Sequence, residues 1–236
     1  MLMNRKGLKY SLLKDVILDQ LLMAISTSKE EGIVRASVSI LSTIISANKS
    51  VIEEIKQKGL QLSDLASALK RNVHEAAILI YLINPTPSEI RTLELLPILV
   101  EVICNSNGYK SSPMPVLLTP PTASLMIIEV LVTAFDYATN NAHLAVISSP
   151  RVLCGILNVL SNNSMEEVME EVISLASVLV RCMRFDGECR TYLSQCTPVG
   201  PLISLLISNQ QRAKFVGLEF FHEILRIPRY KFFKLH

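Results

Sequence analysis

Apolar residues recur along this chain at intervals of three and four with few breaks, the spacing of one face of an α-helix. Leu8, Leu12, Val16 and Leu21–Leu22 predict a first helix. Ser28 with Glu31 three residues on reads as a capping box that opens a second, carrying Val34, Val38, Leu41 and Ile45 and ending near Ala47–Asn48. Short helices follow at about 49–58 and 61–70. Asn72 is placed to cap the next, which runs through Ile78 to Ile83 and stops before Pro85. Helical spacing resumes over about 87–105 in one or two pieces. Residues 106–121 break the pattern, with Pro113, Pro115 and Pro120 among serines and Gly108, and read as a loop insert. Helices are then predicted at about 122–138, 140–147 and 150–161, the last with Pro150 in its first turn. Ser164 and Glu167 predict a second capping box for about 164–184, Asp186 a cap for 187–195, and Thr197-Pro198 a start for 198–208. A long last helix at about 210–227 stops before Pro228. No segment reads convincingly as a strand, and only eight glycines are present.

The order of these helices repeats. A short apolar helix followed by a polar turn and a longer helix begins at Leu21, Leu65, Leu99, Ile156 and Leu202. Polar turns at Asn48, Asn84, Asn140 and Phe185 step in the same rhythm, with one long interval that contains the proline-rich insert. Allowing for the insert, the period is roughly 40–47 residues with two or three helices per unit, the pattern of armadillo and HEAT repeats. The expected fold is all-α: a right-handed superhelical solenoid of about four to five irregular repeats, one domain spanning 1–236. Such repeats bury their apolar faces only by stacking. This explains why Leu125–Phe135 and Val172–Val180 are apolar nearly all round.

Half of the 236 residues are apolar, a share that membrane spans could produce. Glu129 interrupts the richest stretch, and no run approaches the ~18–20 apolar residues a spanning helix needs. The first residues carry scattered charges and no apolar signal core. With 23 basic and 21 acidic residues interspersed, no basic block offers a nucleic-acid footprint. Five cysteines, an odd number without a CxxC pair, predict reduced thiols in the cytosol or nucleus.

Catalytic chemistry finds no foothold. Cys182, Cys189 and Cys196 are seven apart but lack a histidine pair at ligand spacing, and read as small buried hydrophobes. His74, His143, His222 and His236 are scattered. Glu166-Glu167 and Glu170-Glu171 fall in a first helical turn, where acidic residues suit the dipole. There is no G-x-S-x-G elbow and no phosphate loop. No catalytic, metal or cofactor site is expected. What remains is surface. Arg35, Ser39 and Ser42 share a stripe on the helix 28–47, with Glu31 and Ser46. Glu171, Ser174 and Arg181 do so on 164–184, and Glu219 and His222 on the last helix with Arg212 and Arg226. If these helices line a shared concave groove, the stripes bind a partner protein. The plain alternative is that they are the solvated sides of amphipathic helices. The insert at 106–121 reads as disordered rather than binding.

The stretches KSVIEEIKQKGLQLSDLASALKRNVHEAAILIYLINPTPSEIRTLELLPILVEV (49–102), LLTPPTASLMIIEVLVTAFDYATNN (117–141) and RAKFVGLEFFHEILRIPR (212–229) resemble one group closely. It is the plant E3 ubiquitin ligases called LIN or CERBERUS, and the resemblance covers roughly residues 7–229. Members of that family carry a U-box, armadillo-like repeats and WD40 repeats, and the resemblance implies that this chain corresponds to the helical middle. No U-box is recognisable, and zero tryptophans argue against WD40 blades. Residues 230–236 look like an unrelated tail, which suggests a fragment or a shortened paralogue. The resemblance implies a non-catalytic scaffold that binds other proteins, substrates or regulators of a ligase, without membrane or nucleic-acid partners. The alternative is a piece of a longer chain with E3 ubiquitin-protein ligase activity. A groove for nuclear-import cargo is a third reading, against which the lack of tryptophan also counts.

Overall fold

The structure is a computed structural model that describes residues 5–105, 118–133, 137–162 and 170–226. Among them are fourteen helices and no strand. These are α1 (Arg5–Thr27), α2 (Glu31–Ala47), α3 (Val51–Gln57), α4 (Leu62–Lys70), α5 (Ala76–Leu82), α6 (Pro87–Thr92) and α7 (Leu96–Cys104). They continue as α8 (Pro120–Thr133), α9 (Tyr137–Ile147), α10 (Pro150–Asn162), α11 (Glu170–Phe185), α12 (Gly187–Cys196), α13 (Val199–Ile207) and α14 (Gln211–Leu225). The chain order is a repeat. After α1 and α2, four triplets run α3–α5, α6–α8, α9–α11 and α12–α14, and the recurring apolar motif falls on the second helix of each: α4, α7, α10 and α13.

The described residues fall into two compact units. The first takes residues up to Ile98 together with Val116–Pro120. In it α2 packs on α1, α3 and α5, and α4 packs on α1 and α5. Val34, Val38, Leu41 and Ile45 of α2 recur at helical spacing, and all four are buried, as are Leu79 and Ile80 of α5, on which α2 packs. The second unit takes Leu99–Pro115 and residues from Pro121 onward. Its centre is α11, which packs on α9, α10, α12, α13 and α14. With neighbours on so many sides, the helix buries Val172, Ile173, Leu175, Ala176, Val178, Leu179, Cys182 and Met183 together.

In the second unit the third helix of one triplet lies on the third helix of the next, α11 on α14, and in the first unit α2, which precedes the triplets, lies likewise on the third helix α5. The side-chain bonds carry the same period. Lys14 reaches Glu54 across 40 residues, Arg35 reaches Glu75 across 40, and Arg184 reaches Glu223 across 39. Equivalent positions of consecutive repeats therefore face each other, which is the nearest-neighbour contact that holds a solenoid together.

Helix ends differ in part from expectation. Asp186 caps α12 by accepting the Glu188 N–H at 2.8 Å, as predicted. Ser28 forms no capping box with Glu31. Its hydroxyl accepts the Glu30 N–H, and Glu30 takes the cap position with no side-chain bond. Asn72 does not cap α5. It sits just beyond α4 at φ +65, the left-handed conformation in which asparagine ends helices. A capping box that sequence reading passed over closes α6: Thr86 Oγ1 accepts the Glu89 N–H, and the Glu89 carboxylate accepts the Thr86 N–H. Those bonds hold the Glu89 carboxyl below its ordinary range. The insert was expected to reach residue 121, yet α8 begins at Pro120, because prolines are tolerated in a first turn. The Ser164–Glu167 box, residues 106–117 of the insert and the tail at 230–236 lie outside the described residues.

Candidate interaction surface

The residues predicted to line a groove divide between the two units. Arg35, Ser39 and Ser42 belong to the first, and Glu171, Ser174, Arg181, Glu219 and His222 to the second. Arg35 and Ser39 are exposed on α2, where Arg35 pairs with Glu75 at 3.3 Å. Glu171 and Arg181 are half-buried on α11, Glu219 is half-buried on α14, and His222 is exposed. Ser42 and Ser174 are a correction. They are 4% and 1% exposed, so neither faces solvent. The reason is that α2 and α11 are packed over more of their circumference than a one-sided amphipathic helix, and small serines admit close neighbours there.

Ser174 Oγ is buried with no hydrogen-bond partner among the described residues. A buried hydroxyl left unpaired costs about 1–3 kcal/mol, and alanine is the better helix former by about 0.5 kcal/mol. Ser174→Ala is therefore expected to stabilise the protein by about 1 kcal/mol, raising Tm by about 2–4 °C in a thermal melt followed by circular dichroism. A lower Tm would show that the hydroxyl has a partner.

The strongest electrostatic feature lies between α11, α12 and α14. Glu223 is 1% exposed, yet it is the meeting point of three guanidinium groups. Arg184 Nε donates to Oε1 at 3.1 Å, Arg190 Nη2 to Oε2 at 3.3 Å, and Arg226 Nη1 to both oxygens at 3.1 and 3.2 Å. Arg184 also donates to Glu219, and Arg190 to the Met183 carbonyl at 2.9 Å. Burial pushes the Glu223 carboxyl up, but the bonds from Arg184 and Arg226 and their charges outweigh it, so it lies below its ordinary range. Arg212 at the start of α14 makes a parallel clamp, donating to Glu129 of α8 at 3.1 Å and to Glu170 of α11. The last helix is thus fixed at both ends by charge.

On this anchored helix an apolar stripe faces solvent. Phe215, Leu218 and Leu225 are 62%, 63% and 81% exposed, with His222 between them. The spacing i, i+3, i+7, i+10 places all four side chains along one face about 15 Å long. The opposite face buries Ala213, Val216, Gly217, Phe220 and Glu223. Sequence reading assigned α14 a polar stripe and missed the apolar one. The signal was there: RAKFVGLEFFHEIL holds more apolar residues than one buried face consumes.

Burial pushes the Cys182 thiol up to about 12, which makes it inert as a nucleophile. Among the described residues no group of three histidine, cysteine or carboxylate side chains is placed to hold a metal ion. The first unit carries an open cleft of about 290 Å³ lined by Asp19, Leu22, Met23, Ser26, Lys58 and Asp64. Lys58 there is engaged by Asp19 at 2.8 Å and Asp15 at 3.6 Å, so its charge is already spent within the unit. Among the described residues no single helix is long and apolar enough to cross a membrane.

Comparison with known families adds the decisive observation. Residues 1–129 match the family described as "E3 ubiquitin-protein ligase LIN-like, ARM repeat", and residues 130–235 match "Putative E3 ubiquitin-protein ligase LIN, ARM-like domain". The chain belongs to the LIN family of armadillo-like proteins. Its LIN relatives include "Putative E3 ubiquitin-protein ligase LIN-1" and "LIN-2" of Lotus japonicus, each 27% identical over 216 residues. "Putative E3 ubiquitin-protein ligase LIN" of Medicago truncatula is 25% identical over the same length. Each match covers 92% of this chain and 14% of the relative, so this LIN-family chain spans about a seventh of the length of the proteins it resembles. The armadillo reading of the periodicity and the triplets of short, short and third helices agree with that family.

Proposed function

We propose that the chain is a non-catalytic protein-binding scaffold, and that the exposed face of α14 is where it takes hold of a partner. The observation that carries this reading is the stripe of Phe215, Leu218 and Leu225 held on a helix clamped at both ends by ion pairs to buried glutamates. Preformed apolar anchors on a rigid helix bind at low ordering cost. The occupant that fits is an amphipathic helix of another protein, with apolar side chains at i, i+3 or i+4, and i+7. Arg35 and Ser39 in the first unit, and Glu171, Arg181, Glu219 and His222 in the second, would supply polar contacts at the rims of such surfaces.

Peptide display against the purified chain tests this. Selected sequences are expected to share helical apolar spacing, and the double variant Phe215→Asp, Leu218→Asp is expected to lose them at least 30-fold. Its Tm should stay within ~2 °C of the parent, since exposed substitutions cost little. Selected peptides that bind the double variant undiminished would move the surface elsewhere.

The names of the relatives and the fraction of them that this chain spans favour a second reading, in which it is part of a longer E3 ubiquitin-protein ligase that it equips with a substrate- or regulator-binding arm. Mixed with activating enzyme, conjugating enzyme, ubiquitin and ATP, the chain alone is expected to build no ubiquitin chains. Chain formation by this protein alone would make it catalytic and overturn the scaffold reading.

A further inference from the structure

The second unit contains a close crossing of two helices that the scaffold reading does not use. A side chain at Gly155 of α10 would place its first carbon 2.9 Å from the Ile103 carbonyl oxygen and 3.2 Å from Cys104 Cα. The backbones of α7 and α10 therefore touch at this point. Each carries a cysteine there: Cys104 on α7, and Cys154 beside Gly155 on α10. Arg151, one turn before, pairs with Glu101 at 2.8 Å across the same crossing. Cys104 Sγ lies 3.9 Å from the Arg151 carbonyl oxygen. That carbonyl faces the turn of α10 that bears Cys154, three residues on. Both thiols are accessible, Cys154 exposed and Cys104 partly so. Burial raises the Cys104 thiol above its ordinary value; Arg151 opposes the shift, and Glu101 and the neighbouring Cys154 thiol add to it.

We infer that Cys104 and Cys154 form a reversible disulfide when the chain meets a small-molecule disulfide oxidant such as oxidised glutathione. A disulfide requires Cα atoms about 4.4–6.8 Å apart, and Cys104 Cα lies 3.2 Å from the position of a first side-chain carbon on Gly155, the residue next to Cys154. The more exposed Cys154 thiolate attacks a glutathione sulfur, forming a mixed disulfide and releasing one glutathione thiolate. The Cys104 thiolate then attacks Cys154 Sγ, forming the protein disulfide and releasing the second glutathione. Two thiols are oxidised, one glutathione disulfide is reduced to two thiols, and the two protein protons leave with them. The bond would pin the second helix of one repeat onto the second helix of the next. In a reducing compartment it would be open, as the cysteine count predicts, and oxidation would close it.

The test uses the full chain, reduced and then equilibrated in glutathione buffers of increasing potential, alkylated and digested with trypsin. Each of the five cysteines falls on its own tryptic peptide, so every pairing is distinguishable. The expected product joins peptide 92–110 to peptide 152–181 in a two-electron transition, and the oxidised chain melts roughly 5 °C or more above the reduced one. Cys104→Ser should yield Cys154 carrying glutathione instead of a crosslink. Glutathione accumulating on Cys154 while Cys104 stays free in the parent chain would overturn the inference. So would a crosslink that joins Cys154 to Cys196.

Discussion

Gly155→Val is expected to destabilise the chain by about 3–5 kcal/mol, the range of severe steric changes in a packed interior. The effect runs against local preference. Glycine inside a helix is about 1 kcal/mol worse than alanine, so in an isolated helix any Cβ at this position would help. Here the atoms in the way are backbone: the Ile103 carbonyl oxygen at 2.9 Å and Cys104 Cα at 3.2 Å. Backbone cannot rotate aside as a side chain can, so α7 and α10 must move apart and lose packing around Ile156 and Ile103, both fully buried. Gly155→Ala should already cost about 1–2 kcal/mol, the clash outweighing the propensity gain. Gly32 in the first turn of α2 is the control, because a Cβ there meets nothing within 4 Å. Gly32→Ala should stabilise by about 0.5–1 kcal/mol. Denaturant titrations of the three variants check the opposite signs. A neutral Gly155→Ala would mean that the helices are not in backbone contact, and would remove the geometry that brings Cys104 and Cys154 together.

How much of this was legible in the sequence depends on how local each feature is. The repeat was, because it is written in apolar spacing: the motif starting at Leu65, Leu99, Ile156 and Leu202 marks the second helix of each triplet. Asp186 was, because a cap is decided by the residue and its next two neighbours. Asn72 was misread because asparagine suits both a helix start and a left-handed stop, and only the chain's path chooses between them. Ser42 and Ser174 were misplaced because a serine in a helix with several neighbours looks, in sequence, like a serine on a solvated face. Gly155 gave no signal, since LCGIL reads as an ordinary apolar helix with one poor helix former. The apolar stripe of α14 was hidden by a different assumption, that apolar residues at helical spacing point into a core. Phe215, Leu218 and Leu225 sit opposite the buried face.

Glu223 is the other site where one side chain decides much, and no pattern announces it: Arg184 and Arg190 lie 39 and 33 residues before it. Glu223→Gln is expected to cost about 1–3 kcal/mol, because it takes the charged partner from Arg190, whose side chain is 17% exposed, while Arg184 and Arg226, 46% and 56% exposed, stay solvated. The glutamine keeps the shape but offers one oxygen and no charge to three guanidinium groups, with only Glu219 near to compensate Arg184. An exposed pair sets the scale. Glu53 pairs with Lys56 at 3.6 Å with its side chain 75% exposed, and Glu53→Gln should cost no more than about 0.5 kcal/mol. The same cluster predicts a pH dependence with a definite sign. The folded carboxyl is held below its ordinary range, so the unfolded chain binds the proton first as pH falls. Its contribution is complete above the unfolded value of about 4.3 and is lost as pH drops through the lower folded value. The parent should therefore lose stability to acid more steeply below about pH 4 than the Glu223→Gln variant, and the gap between them should close there while staying constant from pH 6 to 8. Because the cluster joins α11 and α12 to α14, the variant should also loosen the helix that presents Phe215 and Leu218. Amide hydrogen exchange along α14 should then rise with no change to the stripe itself. Equal exchange in both proteins would separate the charge cluster from the proposed binding face and leave that face to be held by the packing of α14 on α11 and α13.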